Sequence, residues 1–335
     1  MRAFEALVVD KQGNQVDARV RTMNEQDLPE GDLLIKVAYS SLNYKDALAC
    51  TANGNIVRHY PFVPGIDLAG TVVTAGGPDS RFREGDEVLV TGYGLGVSHY
   101  GGFSEYARVP SAWAVPLPQG LSALDAMIIG TAGFTAALSV FVLQDSGVRP
   151  DSGTVLVTGA SGGVGTMAVA MLARLGYEVE ASSGKADMAN ALLELGAKRI
   201  LRREELIPEQ PRPLSEQRWA GAIDCVGGRT LSSILAAIRY GGAVAASGLT
   251  GGTELSATVF PFILRGIRLI GIDSVQTPMD IRLRVWDRLA AELMPPSLST
   301  MYRTVSLEQI PSLVPSILQG ESRGRLVVQP WRDER

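Results

Sequence analysis

Residues that build metal centres and disulfide frameworks are scarce in this sequence. Its 335 residues include 2 cysteines and 2 histidines. Cys50 and Cys225 are too few for a four-thiolate zinc centre, and His59 and His99 lie far apart, so a histidine-based metal site or catalytic triad has few candidates. The sequence therefore predicts no metal site, and the low cysteine content favours a reducing, cytoplasmic location.

The chain also lacks a strong excess of charge of either sign. Its 31 Lys and Arg residues face 35 Asp and Glu residues, which gives a net charge of -4. Such a chain has no overall positive field to hold DNA or RNA, so we expect no nucleic-acid partner. The composition, 46% hydrophobic with 37 Gly and 18 Pro, excludes a disordered or collagen-like chain. At roughly 150 residues per domain, the length predicts about two domains.

One uncharged run, residues 126–144, is nearly long enough to span a bilayer. It is interrupted by glycines and hydroxyl residues, and no basic cluster or aromatic belt flanks it. We therefore predict a buried helix at a domain junction and no membrane partner. Residues 1–13 carry Glu5 and Asp10 and lack the apolar core of a signal peptide, which predicts that the protein is not exported.

The first third of the chain has a different pattern from the rest. Strand-like segments in the first third are separated by Gly and Pro, which predicts a compact β-rich domain. After about residue 125, apolar runs alternate with helical segments, which is typical of βαβ units around a parallel sheet. We predict the fold class α/β, with a β-rich domain over 1–125, a doubly wound parallel-sheet domain over 126–275, and a C-terminal segment, 276–335, that returns to the first domain.

Several strands and helices of the second domain are visible in the sequence. The predicted strands are 155–157, 178–181, 221–224, 243–246 and 269–272, and the predicted helices are 166–175 and 281–293. We expect the segment 269–275 at the edge of the sheet, where pairing with a second copy of the chain would satisfy the open edge. The sequence therefore predicts a homodimer.

The strongest chemical signal is the segment VLVTGASGGVGTMAVAMLARLG, residues 155–176. A strand runs into Gly159, Gly162 and Gly165 and then directly into an amphipathic helix. This order points backbone N–H groups at a pyrophosphate, and glycine is needed because a Cβ would block the approach. We predict a dinucleotide site with contacts from four consecutive residues of the loop: Ser161, Gly162, Gly163 and Val164.

The end of the next strand indicates which nicotinamide cofactor is bound. An NAD site usually offers an acidic side chain to the ribose there, but this sequence has Ser182, Ser183 and Lys185, with Arg203 on a later loop. Hydroxyls and cations suit a 2′-phosphate, and a hydrogen bond to a charged group is worth about 1.5 to 3 kcal/mol. We therefore predict NADPH. Asp187 is an alternative ribose acceptor, although it follows the strand end.

Further cofactor contacts are expected at the ends of the later strands. Ligands of doubly wound sheets bind outside the C-terminal ends of the strands. The residues that follow or end the strands 243–246 and 269–272 are therefore candidates for the nicotinamide end, namely Ser247, Leu249, Ile272 and Ser274.

Five segments together resemble the medium-chain dehydrogenase/reductase superfamily over essentially the whole chain. They are SSLNYKDAL at 40–48, PFVPGIDLAGTV at 61–72, GTAGFTAAL at 130–138, VTGASGGVG at 157–165 and AIDCVGG at 222–228. The resemblance implies a chaperonin-10-like (GroES-like) catalytic domain beside the Rossmann domain. It also implies that Arg325, near the C-terminus, contacts the cofactor.

This sequence departs from the zinc-dependent alcohol dehydrogenases of that superfamily. Those enzymes carry a zinc-binding cysteine and a Gly-His-Glu motif, where this sequence has Asn43 with Tyr44 and Gly65-Ile66-Asp67. Together with the segments above, MIIGTAGFTA at 127–136, PFILRGIRLIGIDSV at 261–275 and the closing Gly324-Arg325 resemble the zinc-independent, quinone oxidoreductase-like branch and its NADPH-dependent acryloyl-CoA reductase subfamily. This resemblance implies reduction of acryloyl-CoA to propanoyl-CoA. An NADPH:quinone or enone oxidoreductase is the first alternative, and a non-catalytic NADPH-binding protein is the second.

The implied reaction suggests roles for three residues. Hydride transfer to the β-carbon places negative charge on the thioester oxygen, and hydrogen-bond donors must hold it where zinc ligands are missing. The Asn43 amide, the Tyr44 hydroxyl and nearby backbone N–H groups are candidates. Tyr44 is also a candidate proton donor beside a ribose hydroxyl or water, and Asp67 would orient the network. Each also has a simpler alternative role. Tyr44 would contact the nicotinamide ribose, Asp67 would be a buried structural acid, and Asn43 would bond to backbone.

Overall fold

The computed structural model describes residues 2–13, 15–77 and 80–331. The chain forms two compact units. Unit 1 comprises Met1–Thr131, Val275–Ala290 and Leu298–Arg335, and unit 2 comprises Ala132–Ser274 and Ala291–Ser297. The sequence places the boundaries at 125/126 and 275/276, and nothing in it indicates that residues 291–297 join the second unit.

The described residues form fifteen strands and eight α-helices. The strands are β1 (Ala3–Gln12), β2 (Gln15–Asn24), β3 (Leu33–Leu42), β4 (Asp67–Ala75), β5 (Glu87–Thr91), β6 (Tyr106–Val109), β7 (Val115–Pro116), β8 (Val155–Thr158), β9 (Val179–Ser182), β10 (Arg199–Leu201), β11 (Trp219–Asp224), β12 (Ile238–Ala246), β13 (Arg268–Gly271), β14 (Tyr302–Ser306) and β15 (Arg325–Gln329). The helices are α1 (Tyr44–Ala49), α2 (Ala123–Asp145), α3 (Gly163–Arg174), α4 (Ala189–Glu194), α5 (Gly228–Ala237), α6 (Phe260–Arg265), α7 (Met279–Arg288) and α8 (Ile310–Leu318).

Unit 1 is built on a seven-stranded sheet in the order β14-β15-β3-β4-β5-β7, with β6 also paired to β3, and on the separate hairpin β1-β2. Its core contains alternate residues of β3, among them Leu33, Ile35 and Val37, as expected for a strand with one buried face. Strand β15 pairs antiparallel with β3, so this part of the C-terminal segment lies in the sheet of unit 1.

The register of three neighbouring strands brings distant residues to one end of this sheet. Leu42 pairs with Leu326, and Ser40 pairs with Leu68. Residue 43 directly follows β3, residue 67 begins β4, and residue 325 begins β15. Because β3 runs antiparallel to both neighbours, these three positions lie together at the same edge.

Unit 2 is a six-stranded, fully parallel sheet in the order β10-β9-β8-β11-β12-β13. This is the doubly wound order, with the change of direction between β8 and β11, so the predicted Rossmann architecture is confirmed. Strand β13 lies at one edge, as the sequence predicts. The predicted helix 281–293 corresponds to α7, Met279–Arg288, and to the π-helical turn Leu289–Leu293 that continues it.

Helix α2 contains the uncharged run and is broken in the middle. Gly130 has φ 50° and ψ -161°, so two helical segments meet there. Among the described residues, α2 is the helix whose length and hydropathy would allow a membrane span, and 83% of its most apolar window is buried inside the protein. Burial of this helix agrees with the prediction for residues 126–144.

Candidate active site

A buried carboxylate lies at the edge of the unit 1 sheet where β3, β4 and β15 meet. Asp67 is completely buried, and four donors surround it. Its Oδ2 accepts from the Ser41 hydroxyl at 2.5 Å, the Asn43 amide at 2.8 Å and the Thr131 backbone N–H at 2.9 Å. Its Oδ1 accepts from the Thr131 hydroxyl at 2.5 Å. A buried charge needs such partners, and the saturated carboxylate is suited to orienting its donors rather than to proton transfer.

The Asn43 side chain is fixed from both sides. Its Nδ2 donates to the Ser41 carbonyl at 3.1 Å and to Asp67, while its Oδ1 accepts from Arg325 Nη1 at 3.1 Å. The amide has one orientation here, because its oxygen must face the guanidinium and its nitrogen must face the carboxylate. Both amide hydrogens are used within the protein. Asn43 could therefore bind a substrate oxygen only by giving up one of these bonds.

The position of Arg325 adds a structural role to the cofactor contact that the resemblance implies. The guanidinium is buried in unit 1 with 3% of the residue exposed, and the cofactor contact stays a prediction. Its Nε donates to the Ile128 carbonyl at 2.9 Å, and its Nη1 and Nη2 donate to Asn43 and to the Ser41 hydroxyl, both at 3.1 Å. Burial lowers the pKa of this guanidinium, and the nearby charges of Asp67 and Asp46 act in the opposite direction. With every nitrogen bonded to protein, Arg325 holds the cluster in place.

Tyr44 is placed quite differently from its neighbour Asn43. It is the first residue of α1 and remains 47% exposed. Its hydroxyl makes no hydrogen bond to any residue in the described part of the chain, so it is available to a ligand. The three predicted catalytic residues therefore divide into a hydrogen-bonded pair, the buried Asp67 and the half-buried Asn43, and one accessible donor.

Sequence reasoning missed a second buried carboxylate in this cluster. Asp46 Oδ2 accepts the Asn43 backbone N–H at 2.8 Å, and its Oδ1 accepts the N–H groups of Gly65 at 3.1 Å and Ile66 at 2.9 Å. Burial, and secondly the Asp67 charge, raises the pKa of the Asp46 carboxyl to about 7, against these hydrogen bonds. The Asn-x-x-Asp spacing at the start of a short helix could have indicated this capping role.

The glycine loop of unit 2 has the geometry that the sequence predicts. Gly159 has φ 58°, and a Cβ at Gly165 would lie 2.3 Å from the Gly159 carbonyl oxygen, so the start of α3 packs directly on the loop. Gly162 is exposed, and the next two residues are partly exposed. Ser161, Gly162, Gly163 and Val164 therefore lie together at the N-terminus of a twelve-residue helix, which favours an anion.

The hydroxyls and cations predicted for a 2′-phosphate also lie together. The Ser183 hydroxyl donates to the Ser161 hydroxyl at 3.0 Å and accepts the Lys185 backbone N–H at 3.0 Å. A Cβ at Gly184 would lie 3.1 Å from Arg203 Nη2, so this guanidinium covers the same short turn. Ser182 is buried, and its carbonyl accepts the Ala160 N–H at 3.0 Å.

The nicotinamide candidates follow the ends of β12 and β13. The Ser247 N–H donates to the Asp224 carbonyl and the Ile272 N–H donates to the Ala246 carbonyl, both at 2.9 Å. Leu249 is 63% exposed, and Ser274 is partly buried. These four residues therefore lie beyond the carboxyl edge of the sheet, as the sequence predicts.

Asp224, at the end of β11, is a further buried residue that sequence reasoning missed. Its carboxylate accepts the Thr158 hydroxyl at 2.5 Å and the Gly227 N–H at 2.8 Å. Burial raises the pKa of this carboxyl, against the hydrogen bonds that it accepts. It joins the ends of β8 and β11 at the change of strand direction, where the glycine loop starts. The sequence feature that could have indicated this role is an acidic residue at the end of a buried strand.

The donor set of unit 1 does not resemble a metal site. In residues 2–13, 15–77 and 80–331, no group of three or more His, Cys, Asp or Glu side chains is arranged to hold a metal ion. Asn43 and Ile66-Asp67 stand where zinc-dependent alcohol dehydrogenases have ligands, and the Asp67 carboxylate is saturated by hydrogen bonds.

Comparison with known proteins decides the family. The model of the alcohol dehydrogenase GroES-like domain matches residues 29–119, and that of the zinc-binding dehydrogenases matches residues 163–291. The chain is 54% identical to the putative quinone oxidoreductase YhfP of Bacillus subtilis, over 97% of this chain and 98% of that protein. It is 50% identical to the probable acrylyl-CoA reductase AcuI of Escherichia coli, over 97% and 99%.

The chain belongs to the zinc-independent, quinone oxidoreductase-like branch of the medium-chain dehydrogenases/reductases. This confirms the predicted resemblance and the GroES-like plus Rossmann fold. Two similar solved structures each contain a nicotinamide cofactor. The Salmonella enterica yhdH oxidoreductase in complex with NADP superposes with a TM-score of 0.94 at 50% identity, and the B. subtilis yhfP protein with NAD bound superposes at 0.96 and 53%. Each comparison covers 98% of this chain and 100% of the other.

The raised pKa of Asp46 makes stability depend on pH. The folded-state value of about 7 lies above the usual 3.8, so the folded chain binds this proton more tightly than the unfolded chain does. This contribution to the free energy of unfolding is complete at low pH and is lost as the pH rises from about 4 to about 7. Asp46→Asn removes the titration, so the stability difference, parent minus variant, should fall over that range in urea unfolding.

Asp125→Asn is the matched control for this measurement. Asp125 accepts the hydroxyl and N–H of Ser122 at another helix start, at 2.6 and 3.1 Å, but is accessible to solvent. A stability difference for Asp46→Asn that stays constant with pH, or that follows the control, would contradict the raised pKa.

Proposed function

We propose that this chain uses NADPH to reduce the carbon–carbon double bond of a short α,β-unsaturated acyl-CoA, converting acryloyl-CoA to propanoyl-CoA. The observation that carries the proposal is the identity to proteins named acrylyl-CoA reductases. It is 50% for the E. coli relative and 48% for a second one from Ruegeria pomeroyi, each over 97% of this chain. We also propose a cytoplasmic location.

The residues of unit 2 fit NADPH. The glycine-lined loop of Ser161–Val164 would hold the pyrophosphate with backbone N–H groups, where side chains larger than hydrogen at Gly165 would displace the helix. The group of Ser182, Ser183, Lys185 and Arg203 would hold the 2′-phosphate. The nicotinamide end would contact the residues beyond β12 and β13, namely Ser247, Leu249, Ile272 and Ser274. When bound, NADPH supplies the hydride for the β-carbon of the substrate.

The residues of unit 1 would stabilise the charge that the reduction creates. Addition of a hydride at the β-carbon moves the double-bond electrons toward the thioester oxygen, and a solvent proton then completes the α-carbon. The accessible Tyr44 hydroxyl would donate to that oxygen, because the Asn43 amide hydrogens are already used. Asn43 and Asp67 would fix the start of α1 and so the position of Tyr44. Lys45 and Arg58 are candidates for contacts to the CoA phosphates.

A comparison of acceptors tests the substrate class. NADPH oxidation should be measured with acryloyl-CoA, acrolein and benzoquinone. We expect kcat/KM for acryloyl-CoA to exceed the other two by at least about tenfold, because CoA contacts contribute binding that the small acceptors lack. Equal or better turnover of benzoquinone would instead establish the activity for which the B. subtilis relative is named.

The same assay tests Tyr44. Tyr44→Phe should lower kcat with acryloyl-CoA by about a hundredfold, as expected for loss of one donor to a developing oxyanion. The KM for NADPH should change little. Tyr240→Phe, which alters a tyrosine that is 77% exposed, should behave like the parent. Unchanged kcat in Tyr44→Phe would reject this role and favour a passive ribose contact.

The charge arrangement beside Gly184 predicts cofactor selectivity. Lys185→Ala and Arg203→Ala should each lower kcat/KM for NADPH by about tenfold, because each removes a charge from the 2′-phosphate. The value for NADH should be almost unchanged. Arg202→Ala is the control, since this neighbouring guanidinium faces Glu205 instead, with Nε 3.4 Å from Oε1. Equal kcat/KM for NADH and NADPH in the parent enzyme would contradict the assignment of these residues to the 2′-phosphate. NADH is the relevant comparison because the similar B. subtilis structure has NAD bound.

The edge of the unit 2 sheet supports the proposed homodimer. Strand β13 is an edge strand, and α6, which leads into it, exposes large apolar side chains. They are Phe260, Ile263 and Leu264, with Val259 just before the helix, and between 45% and 68% of each is exposed. A second copy would cover this surface and pair with the open strand edge.

Light scattering at micromolar concentration tests this assembly. We expect a dimer mass for the parent and a monomer mass for Ile263→Glu, because a buried charge would oppose association. Leu193→Glu changes an exposed leucine on α4, which packs near the opposite edge strand β10, and should remain dimeric. A monomer mass for the parent would refute the homodimer.

A further inference from the structure

The break in α2 lies directly against the buried polar cluster of unit 1. A Cβ at Gly130 would lie 2.7 Å from Arg325 Nη2, Asp67 Oδ2 and the Ser41 hydroxyl. The helix backbone therefore passes the cluster at a distance that glycine alone permits. The positive φ of Gly130 ends the first helical segment, and the next residue, Thr131, starts the second one. Its N–H is thus directed at the Asp67 carboxylate instead of at a preceding turn of helix.

Thr131 provides two of the four donors to Asp67, and they serve different oxygens. The backbone N–H shares Oδ2 with Ser41 and Asn43, whereas the hydroxyl is the donor to Oδ1 among the described residues. With both oxygens engaged, the carboxylate plane is fixed. Without the Thr131 hydroxyl, Oδ1 would be buried with no hydrogen-bond donor. The carboxylate would then rotate so that Oδ1 accepts from one of the remaining donors.

Such a rotation would disturb Asn43, the residue that directly precedes Tyr44. Asp67 Oδ2 accepts from the Asn43 amide at 2.8 Å, and the Asn43 backbone N–H is capped by Asp46 at 2.8 Å. Asn43 directly precedes Tyr44, the first residue of α1. The Asp67 carboxylate thus holds the side chain of the residue that directly precedes α1.

We infer that Thr131 is a positioning residue for the reduction, because its hydroxyl fixes the Asp67 carboxylate and, through Asn43, the Tyr44 hydroxyl that would hold the substrate oxygen. This inference rests on the proposed function, because it assigns Tyr44 the role given there. Thr131 acts through Asp67 and so should affect turnover more than binding.

Three variants test the inference in NADPH oxidation with acryloyl-CoA. Thr131→Val keeps the shape and backbone N–H but removes the hydroxyl, and we expect kcat to fall by about tenfold with both KM values within about twofold. Thr131→Ser restores the hydroxyl and should restore kcat to within about twofold of the parent. Ser139→Ala, which removes a buried hydroxyl bonded to the Thr135 carbonyl of the same helix, should lower thermal stability but keep the parent kcat.

A double-mutant cycle separates positioning from general destabilisation. In the Tyr44→Phe background, Thr131→Val should lower kcat by less than about twofold, because the hydroxyl being positioned is already gone. An additive loss, an unchanged kcat in Thr131→Val, or failure of serine to rescue would overturn the inference. NADPH binding by Thr131→Val is checked by fluorescence. If this variant does not bind NADPH, Thr131→Ala takes its place in the cycle.

The proposed substrate and the positioning role of Thr131 can be rejected by different results. A parent that reduces benzoquinone but not acryloyl-CoA would reject the proposed substrate. The same variants would then be compared with the quinone, whose oxygen also becomes negatively charged, and the same order of kcat values would support the positioning role.

Discussion

The hydrogen-bonded Asp67 carboxylate is the constraint on which the catalytic unit depends. A buried charge is tolerated when its partners are complete, and here they come from the end of β3, from the break in α2 and, through Asn43 and Ser41, from the Arg325 guanidinium. Four separate parts of the chain therefore meet at this carboxylate. They are the end of β3, the start of β4, the break in α2 and the start of β15. The cluster leaves the exposed Tyr44 hydroxyl outside it, so the proposed site consists of a fixed interior and an accessible donor.

The dinucleotide unit uses the same principle in a simpler form. Asp224 joins the ends of β8 and β11 by accepting the Thr158 hydroxyl and the Gly227 N–H. The glycine loop starts from the same place, so a buried acid holds the point where the sheet changes direction. In both units a buried acid orders backbone beside the proposed ligand, while accessible hydroxyls, cations and N–H groups are left for the ligand itself.

The parts of the site that follow from local sequence were predictable, and the parts that follow from long-range pairing were not. Strand, glycine turn and helix are adjacent in the chain, so the loop at Ser161–Val164 could be derived from its order alone. Arg325 and Asn43 are 282 residues apart, and their contact depends on the pairing of β15 with β3. A resemblance could assign Arg325 to the cofactor, but it could not show that the guanidinium also binds Asn43 and Ser41. Asn43 and Tyr44 are neighbours, yet Asn43 is half-buried and hydrogen-bonded while Tyr44 is exposed, which motif reasoning cannot separate.

The place of β15 in the sheet has a consequence for synthesis of the protein. The strand begins at Arg325, close to the C-terminus, yet it lies between β14 and β3 and supplies the cation of the polar cluster. Most of unit 2, by contrast, is one continuous stretch, Ala132–Ser274. On the ribosome the glycine loop and the six strands of unit 2 are therefore translated well before β15. A product that ended before Arg325 would keep its glycine loop but would lack both β15 and the guanidinium.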